Sequence, residues 1–148
     1  MKDDRISACV FCDIIRGRSE AASVYEDESF VAFMDRSPIN SGHLLVLPKA
    51  HHETLLDMPG KDVGDLFATV ARLAAAVKEA MGADGINIGQ NNGSAAHQIV
   101  PHVHVHVIPR YENDSPEGRW PSRKAASYGE LEAAAESIRR VLESSTTS

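Results

Sequence analysis

Cysteine is scarce in this 148-residue chain: Cys9 and Cys12 are its two copies, too few for a disulfide framework. Long apolar runs are missing as well. No stretch approaches the roughly 18 residues of a bilayer-spanning helix. The apolar segment after the charged start, Met1 to Ser7, is cut by Asp13 and Arg16, which argues against a secretory leader and for a cytoplasmic, reducing setting. Positive charge is in deficit, with 15 Lys and Arg against 21 Asp and Glu for a net −6. The broad basic face of a nucleic-acid backbone binder is therefore not expected, nor is a membrane partner. With 43% hydrophobic and 24% charged residues, the chain reads as one globular domain, long enough to bury about 68–70% of its unfolded surface.

Val10 to Ile15 reads as a helical turn stopped by Gly17. Ser23 to Glu26 and Ser29 to Asp35 read as strands on either side of the acidic turn Glu26-Asp27-Glu28. After the loop Arg36 to Gly42, His43 to Leu47 is apolar on both faces up to Pro48, the pattern of a central, buried strand. Val63, Leu66, Phe67, Val70, Leu73, Ala74 and Val77 recur at spacings of three and four. They predict one long helix from Asp62, as N-cap, to Met81, with Gly82 as its stop. Gly85 to Gln90 reads as a strand, Asn91 to Ala96 as a polar loop, and Pro101 to Pro109 as a strand in which His and Val alternate. Tyr111 to Ser127 reads as an irregular loop around Trp120. Glu130 to Leu142 follows as a helix with Leu131, Ile138 and Val141 on one side, then a frayed tail from Glu143 to Ser148. The expected class is α+β: an antiparallel sheet of about five strands, the long helix packed on one face, and a C-terminal helix. The expected organisation is an extension over 1–8, a domain over 9–111 and a C-terminal loop and helix over 112–148.

Seven histidines stand out: His43, His51, His52, His97, His102, His104 and His106. Alternate residues of a strand share a face, so His102, His104 and His106 line one side while Val103, Val105 and Val107 face the core. Each imidazole brings two ring nitrogens that need partners, which makes three in a row a poor packing solution. Two chemistries suit the row. Neutral imidazoles can hold a metal ion, or one ring can attack phosphorus while its neighbours hold phosphate oxygens or supply a proton. Cys9-Val-Phe-Cys12 offers a second pair of ligands. A thioredoxin-like redox role would need a βα context that is absent, and zinc would need two further ligands.

His102-Val103-His104-Val105-His106-Val107-Ile108 matches the pattern His-φ-His-φ-His-φ-φ, where φ is apolar. Phe33-Met34-Asp35, Gly42-His43 through Pro48-Lys49, and Asn91-Asn92-Gly93 followed by Gln98 stand at compatible distances. On these segments, which span roughly Cys9 to Arg110, the chain resembles the histidine triad (HIT) family. The resemblance implies hydrolysis or transfer at the α-phosphate of a purine nucleotide through a nucleotidyl-histidine intermediate. It assigns the nucleophile to His104, a phosphate or leaving-group contact to His106 and a tuning role to His43. It also assigns the ribose hydroxyls to Asp35 and the phosphates to Asn91 and Gln98. The base would lie in an apolar cleft that includes Phe11, Ile14 or Phe33. His97 and Ile99, at phosphate-side positions, depart from relatives with Gly before the Gln and Ser or Thr after it. Ile99 leaves that contact to a backbone N–H, and His97 adds a ring at the entrance. The transferase branch carries a Pro and a Gln in its His motif; Val107-Ile108-Pro109-Arg110 here points to the hydrolase branches, on phosphoramidates or dinucleoside polyphosphates. For the cysteines, the resemblance implies a structural zinc on Cys9, Cys12, His51 and His102, with His52 as a competitor for His51. It also implies a homodimer through the long helix and an edge strand, aided by Ala71, Ala74, Ala75 and Ala76. Two other classes stay open: a non-catalytic nucleotide-binding regulator, and a metalloenzyme with its ion on the three histidines.

Overall fold

The structure is a computed structural model and describes residues 9–115 and 119–146; the proposed extension over 1–8 lies outside them. Five strands form one antiparallel sheet among the described residues: β1 (Ser23–Glu26), β2 (Phe30–Met34), β3 (Leu44–Pro48), β4 (Gly85–Gly89) and β5 (Val105–Arg110). Their spatial order is β1-β2-β3-β5-β4. β3 is central and buried along its whole length, as its unbroken apolar run predicts. His106 stands opposite Leu45 on β3 and Gly89 on β4.

The period of two sorts the sheet into two faces. Ala32, Leu44, Val46, Val103, Val105 and Val107 point to one side, where they pack on Leu66, Val70, Leu73 and Val77 of α2 (Gly60–Met81) and on Ala134, Ala135 and Ile138 of α3 (Tyr128–Thr146). The opposite face carries Val31, Phe33, Leu45 and Leu47 under α1 (Val10–Ile15), with Phe11 and both cysteines. Two helices therefore cover the core face, not the long helix alone.

Helix ends depart from expectation for local reasons. α2 starts at Gly60 behind Pro59, which is the N-cap, so Asp62 sits inside the first turn, where a carboxylate meets the positive end of the helix dipole. It ends as expected, with Gly82 at φ +61°. α3 is longer at both ends than Glu130 to Leu142. Ser127 Oγ accepts from the Glu130 N–H (3.1 Å) while the Glu130 carboxylate accepts from the Ser127 N–H (3.4 Å), a reciprocal cap that starts the helix early. At the other end, Ser145 Oγ donates to the Leu142 carbonyl (3.0 Å). Residues 143–146 are thus helical rather than frayed, and the last two residues of that tail lie outside the described residues.

The β5 ladder is the main correction. It starts at Val105, not Pro101, because the Val103 N–H donates to the His52 carbonyl (2.8 Å) instead of to β3, and the His102 N–H turns back to Val100 O (2.8 Å). The alternation of side chains survives, but residues 101–104 run beside the His51-His52 segment. That detour carries His102 toward the cysteines.

Candidate active site and metal centre

Hydrogen bonds assign the tautomers of the triad. His104 Nδ1–H donates to the His102 carbonyl (2.7 Å), which leaves Nε2 as a bare lone pair. The Ile39 N–H donates to His43 Nδ1 (3.1 Å), so a neutral His43 carries its proton on Nε2 and donates it to His106 Nδ1 (2.9 Å). His106 in turn carries its proton on Nε2. The rings of His104 and His106 lie 5.1 Å apart. Burial pushes His43 down to about 3, against the opposing pull of the Asp35 carboxylate. Burial, then His104, pushes His106 down to about 4. Burial lowers His104 as well, offset by its bond to the His102 carbonyl and by Asp35, with Arg123 lowering it further. Burial thus favours the neutral form of all three rings.

His104 and His106 open into a cavity of about 690 Å³. Phe11, Ile14 and Phe33 form its apolar wall, and the Phe11 ring stands edge-on to His104 at 5.0 Å. Asp35 lines the cavity too, with Oδ1 accepting from the Ser37 N–H (2.9 Å) and Oδ2 lying 3.5 Å from His43 Nε2. Asn91, His97 and Ile99 lie along the rim; His97 is held at φ +68° and Ile99 is 89% exposed. Gln98 stands apart from the other expected nucleotide contacts. It is buried, and its carboxamide is committed within the chain, accepting from the Gly93 N–H (2.6 Å) and donating to the Glu53 (2.7 Å) and Val100 (3.1 Å) carbonyls. It holds the 93–98 loop in shape. Sequence reading missed Arg123, whose Nη1 donates to Asp35 Oδ2 (3.0 Å), because a loop without periodicity gives no sign of where its charges land. Trp120, singled out as the large residue of that loop, lies against Gly89 on the same cavity.

Behind the triad, Cys9, Cys12, His51 and His102 bring four potential ligand atoms within 4.8 Å of one another. His102 Nε2–H donates to the Pro48 carbonyl (2.8 Å), so its Nδ1 lone pair faces Cys9 Sγ (3.6 Å), Cys12 Sγ (3.6 Å) and His51 Nδ1 (3.2 Å). Cys12 Sγ lies 3.2 Å from His51 Nδ1. Zinc–sulfur bonds of about 2.3 Å and zinc–nitrogen bonds of about 2.05 Å give tetrahedral edges of about 3.6 Å between S and N and about 3.3 Å between two N. The donors fit. Burial and the adjacent Cys9 push the Cys12 thiol up to about 11, so a Cys12 thiolate here calls for a cation. His52 contributes its carbonyl to Val103 and stands outside the cluster.

Residues 16–113 match the HIT domain. The chain belongs to the HIT family. An uncharacterised HIT-like protein of Methanocaldococcus jannaschii is 47% identical over 106 residues, 72% of this chain and 81% of that one. The adenylylsulfatase HINT3 of Arabidopsis thaliana is 42% identical over 106 residues, which cover 72% of this chain and 54% of the plant protein. Among solved structures, a zinc-bound histidine triad family protein of Mycobacterium smegmatis superposes with a TM-score of 0.84 at 37% identity, covering 95% of this chain and 97% of that one. The α+β class and the five-stranded antiparallel sheet are those of this HIT structure.

Proposed function

We propose that this HIT protein is a nucleotidyl hydrolase that cleaves at the α-phosphate of a purine nucleoside 5′-phosphoramidate or dinucleoside polyphosphate. One observation carries the reading: His104 Nδ1–H is tied to a backbone carbonyl, which bares Nε2 toward the cavity. In the first step Nε2 attacks phosphorus, the N–P bond forms, and the leaving group departs with the electrons of its bond to phosphorus. The Nε2–H of His106 donates a hydrogen bond to that departing atom or to a phosphate oxygen. In the second step water supplies the hydroxyl, the N–P bond breaks, and the nucleoside monophosphate leaves with His104 restored. An amine leaving group takes a solvent proton as it departs and the water's remaining proton replaces it, whereas a phosphate leaving group departs as the anion. Asp35 receives the ribose hydroxyls, Phe11, Ile14 and Phe33 face the base, and Asn91 with the rim residues His97 and Ile99 flanks the phosphates. The activity named for the plant relative, an adenylylsulfatase, is of the same class of cleavage.

Cys9, Cys12, His51 and His102 would hold zinc as a closed structural site. Its chemistry would be that of a brace: the residue whose carbonyl orients His104 is itself fixed through Nδ1. The zinc-bound mycobacterial neighbour supports this assignment. A homodimer through the open edge of β4 and the outer face of α2 completes the reading. Ala74 and Ala76 are taken up by the chain's own core, so of the four alanines Ala71 and Ala75 are left exposed on that helix.

The decisive test is His104→Ala. Turnover of an adenosine 5′-phosphoramidate or a diadenosine polyphosphate should fall to background while AMP still binds. The wild type, acid-quenched in the first turnover with labelled substrate, should carry the nucleotide on protein. Retained turnover in the variant would remove the mechanism, and AMP binding without any turnover in the wild type would favour the non-catalytic regulator.

A further inference from the structure

Residues 119–126 cross the cavity as a strap. Its upstream end is tied where Arg110 Nη2 donates to the Arg119 carbonyl (3.2 Å). Downstream, the Lys124 N–H donates to Pro38 O (3.2 Å) and the Ala126 N–H to Arg36 O (3.1 Å), so it runs alongside the loop that follows β2. Trp120, Arg123 and Ala126 are its contributions to the cavity wall. The Trp120 ring lies against Gly89, 3.4 Å from where a β-carbon would stand. Arg123 spans the gap to the other side, with Nη1 donating to both Asp35 Oδ2 (3.0 Å) and the Ser37 carbonyl (2.8 Å).

The Asp35 carboxylate is only 12% exposed, and a buried carboxylate needs a fixed partner. Its Oδ1 is held by the Ser37 N–H and its Oδ2 by Arg123. A carboxylate offers about four acceptor positions, so these two bonds orient the group and leave room for two more donors. A vicinal diol supplies two. Arginine suits the task better than lysine, since its planar fork fixes the direction of each N–H while an ammonium acts as a point charge.

We infer that Arg123 is the specificity-determining positioning residue of the site: from the strap it aims the Asp35 carboxylate at the ribose diol and pins the strap across the cavity. The inference rests on Asp35 as the ribose acceptor. It makes recognition of the sugar depend on a side chain 88 positions further along the chain.

Two measurements on the full chain test it, with wild type, Arg123→Ala, Arg123→Lys and Asp35→Asn. The chain has one tryptophan, so intrinsic emission reports the strap directly. Without nucleotide, Arg123→Ala and Asp35→Asn should each red-shift Trp120 and raise its quenching by acrylamide, with Arg123→Lys in between. Calorimetric titration with AMP and 2′-deoxy-AMP gives the preference for ribose. The wild type should favour AMP and Asp35→Asn should lose that preference. Arg123→Ala should reduce it by about tenfold or more, the scale of one charge-assisted hydrogen bond, with Arg123→Lys restoring part of it. A change confined to overall affinity, with the AMP to 2′-deoxy-AMP ratio unmoved in Arg123→Ala, overturns the positioning role. Unchanged Trp120 quenching in Arg123→Ala overturns the pin. Equal affinities for the two nucleotides in the wild type would instead remove the ribose role of Asp35, a failure recognised before any Arg123 variant is compared.

Discussion

A histidine can attack phosphorus only while it is neutral and its reactive nitrogen carries no proton. Both conditions are met at His104 by neighbours rather than by the ring itself: burial lowers its proton affinity, and the His102 carbonyl takes its one N–H. The same burial links the dyad behind it to stability. His43 is held down to about 3 and His106 down to about 4, whereas an unfolded histidine titrates near 6.5. Below pH 6.5 the unfolded chain therefore binds protons that the native chain refuses, so stability falls as pH drops. This histidine contribution should be level above about pH 7.5 and decline from about pH 6.5 down to roughly pH 3. His43→Asn should flatten that decline, as read from melting temperatures across pH 4 to 8. An identical pH dependence in the variant would show that His43 does not titrate as its surroundings dictate.

At the scale of elements, the reciprocal cap between Ser127 and Glu130 sets the start of a helix that supplies Ala134, Ala135 and Ile138 to the core. Ser127→Ala should lower stability by about 1 kcal/mol, seen as a shift of the urea midpoint without a change of slope. The signal for that cap, Ser-x-x-Glu, stands in the sequence, but the loop composition before it obscures the boundary. Elsewhere, what could be read from the chain follows a rule. Features set by local period were legible: the buried run of β3, the apolar stripe of α2, the His and Val alternation that sends valines to the core and His104 and His106 to the cavity. Features set by partners distant in sequence were not. The late start of β5 depends on the His52 carbonyl capturing the Val103 N–H. The brace role of Gln98 depends on Glu53. No periodicity in residues 111–127 points Arg123 toward Asp35. The metal ligands fall between these cases, because the Cys9-x-x-Cys12 spacing is local while the preference for His51 over His52 came through resemblance to a family.

For the whole molecule, the proposed zinc joins the first helix to the segment that enters β5. Purified protein should carry one zinc per chain, lost when Cys9→Ser and Cys12→Ser are combined. Metal removal should lower the melting temperature, since an ion bound only by the native state adds to its stability. It should also reduce turnover, because His102 would lose the anchor of its Nδ1. Metal-free protein with unchanged melting and turnover would leave two buried thiols and no more. The dimer is tested by light scattering: active protein at micromolar concentration should weigh twice the 16.0 kDa of one chain. β4 closes one end of the strand order and exposes Ile88 on that edge, a feature that monomeric sheets tend to blunt.

The contact between Cys9 and His102 spans 93 positions, and this separation has a cost during synthesis. Ribosomes add about 5–20 residues per second, so His102 is made roughly 5 to 20 s after Cys9. Throughout that interval Cys9 and Cys12 exist without the histidine they face in the folded chain. Their packing partners Phe11, Val31, Phe33, Leu45 and Leu47 are all made by the end of β3, but the group of four potential ligands is incomplete until His102 is added. If zinc takes this site, the metal and redox conditions met by the nascent chain therefore bear on how much of the protein matures with its four candidate ligands intact.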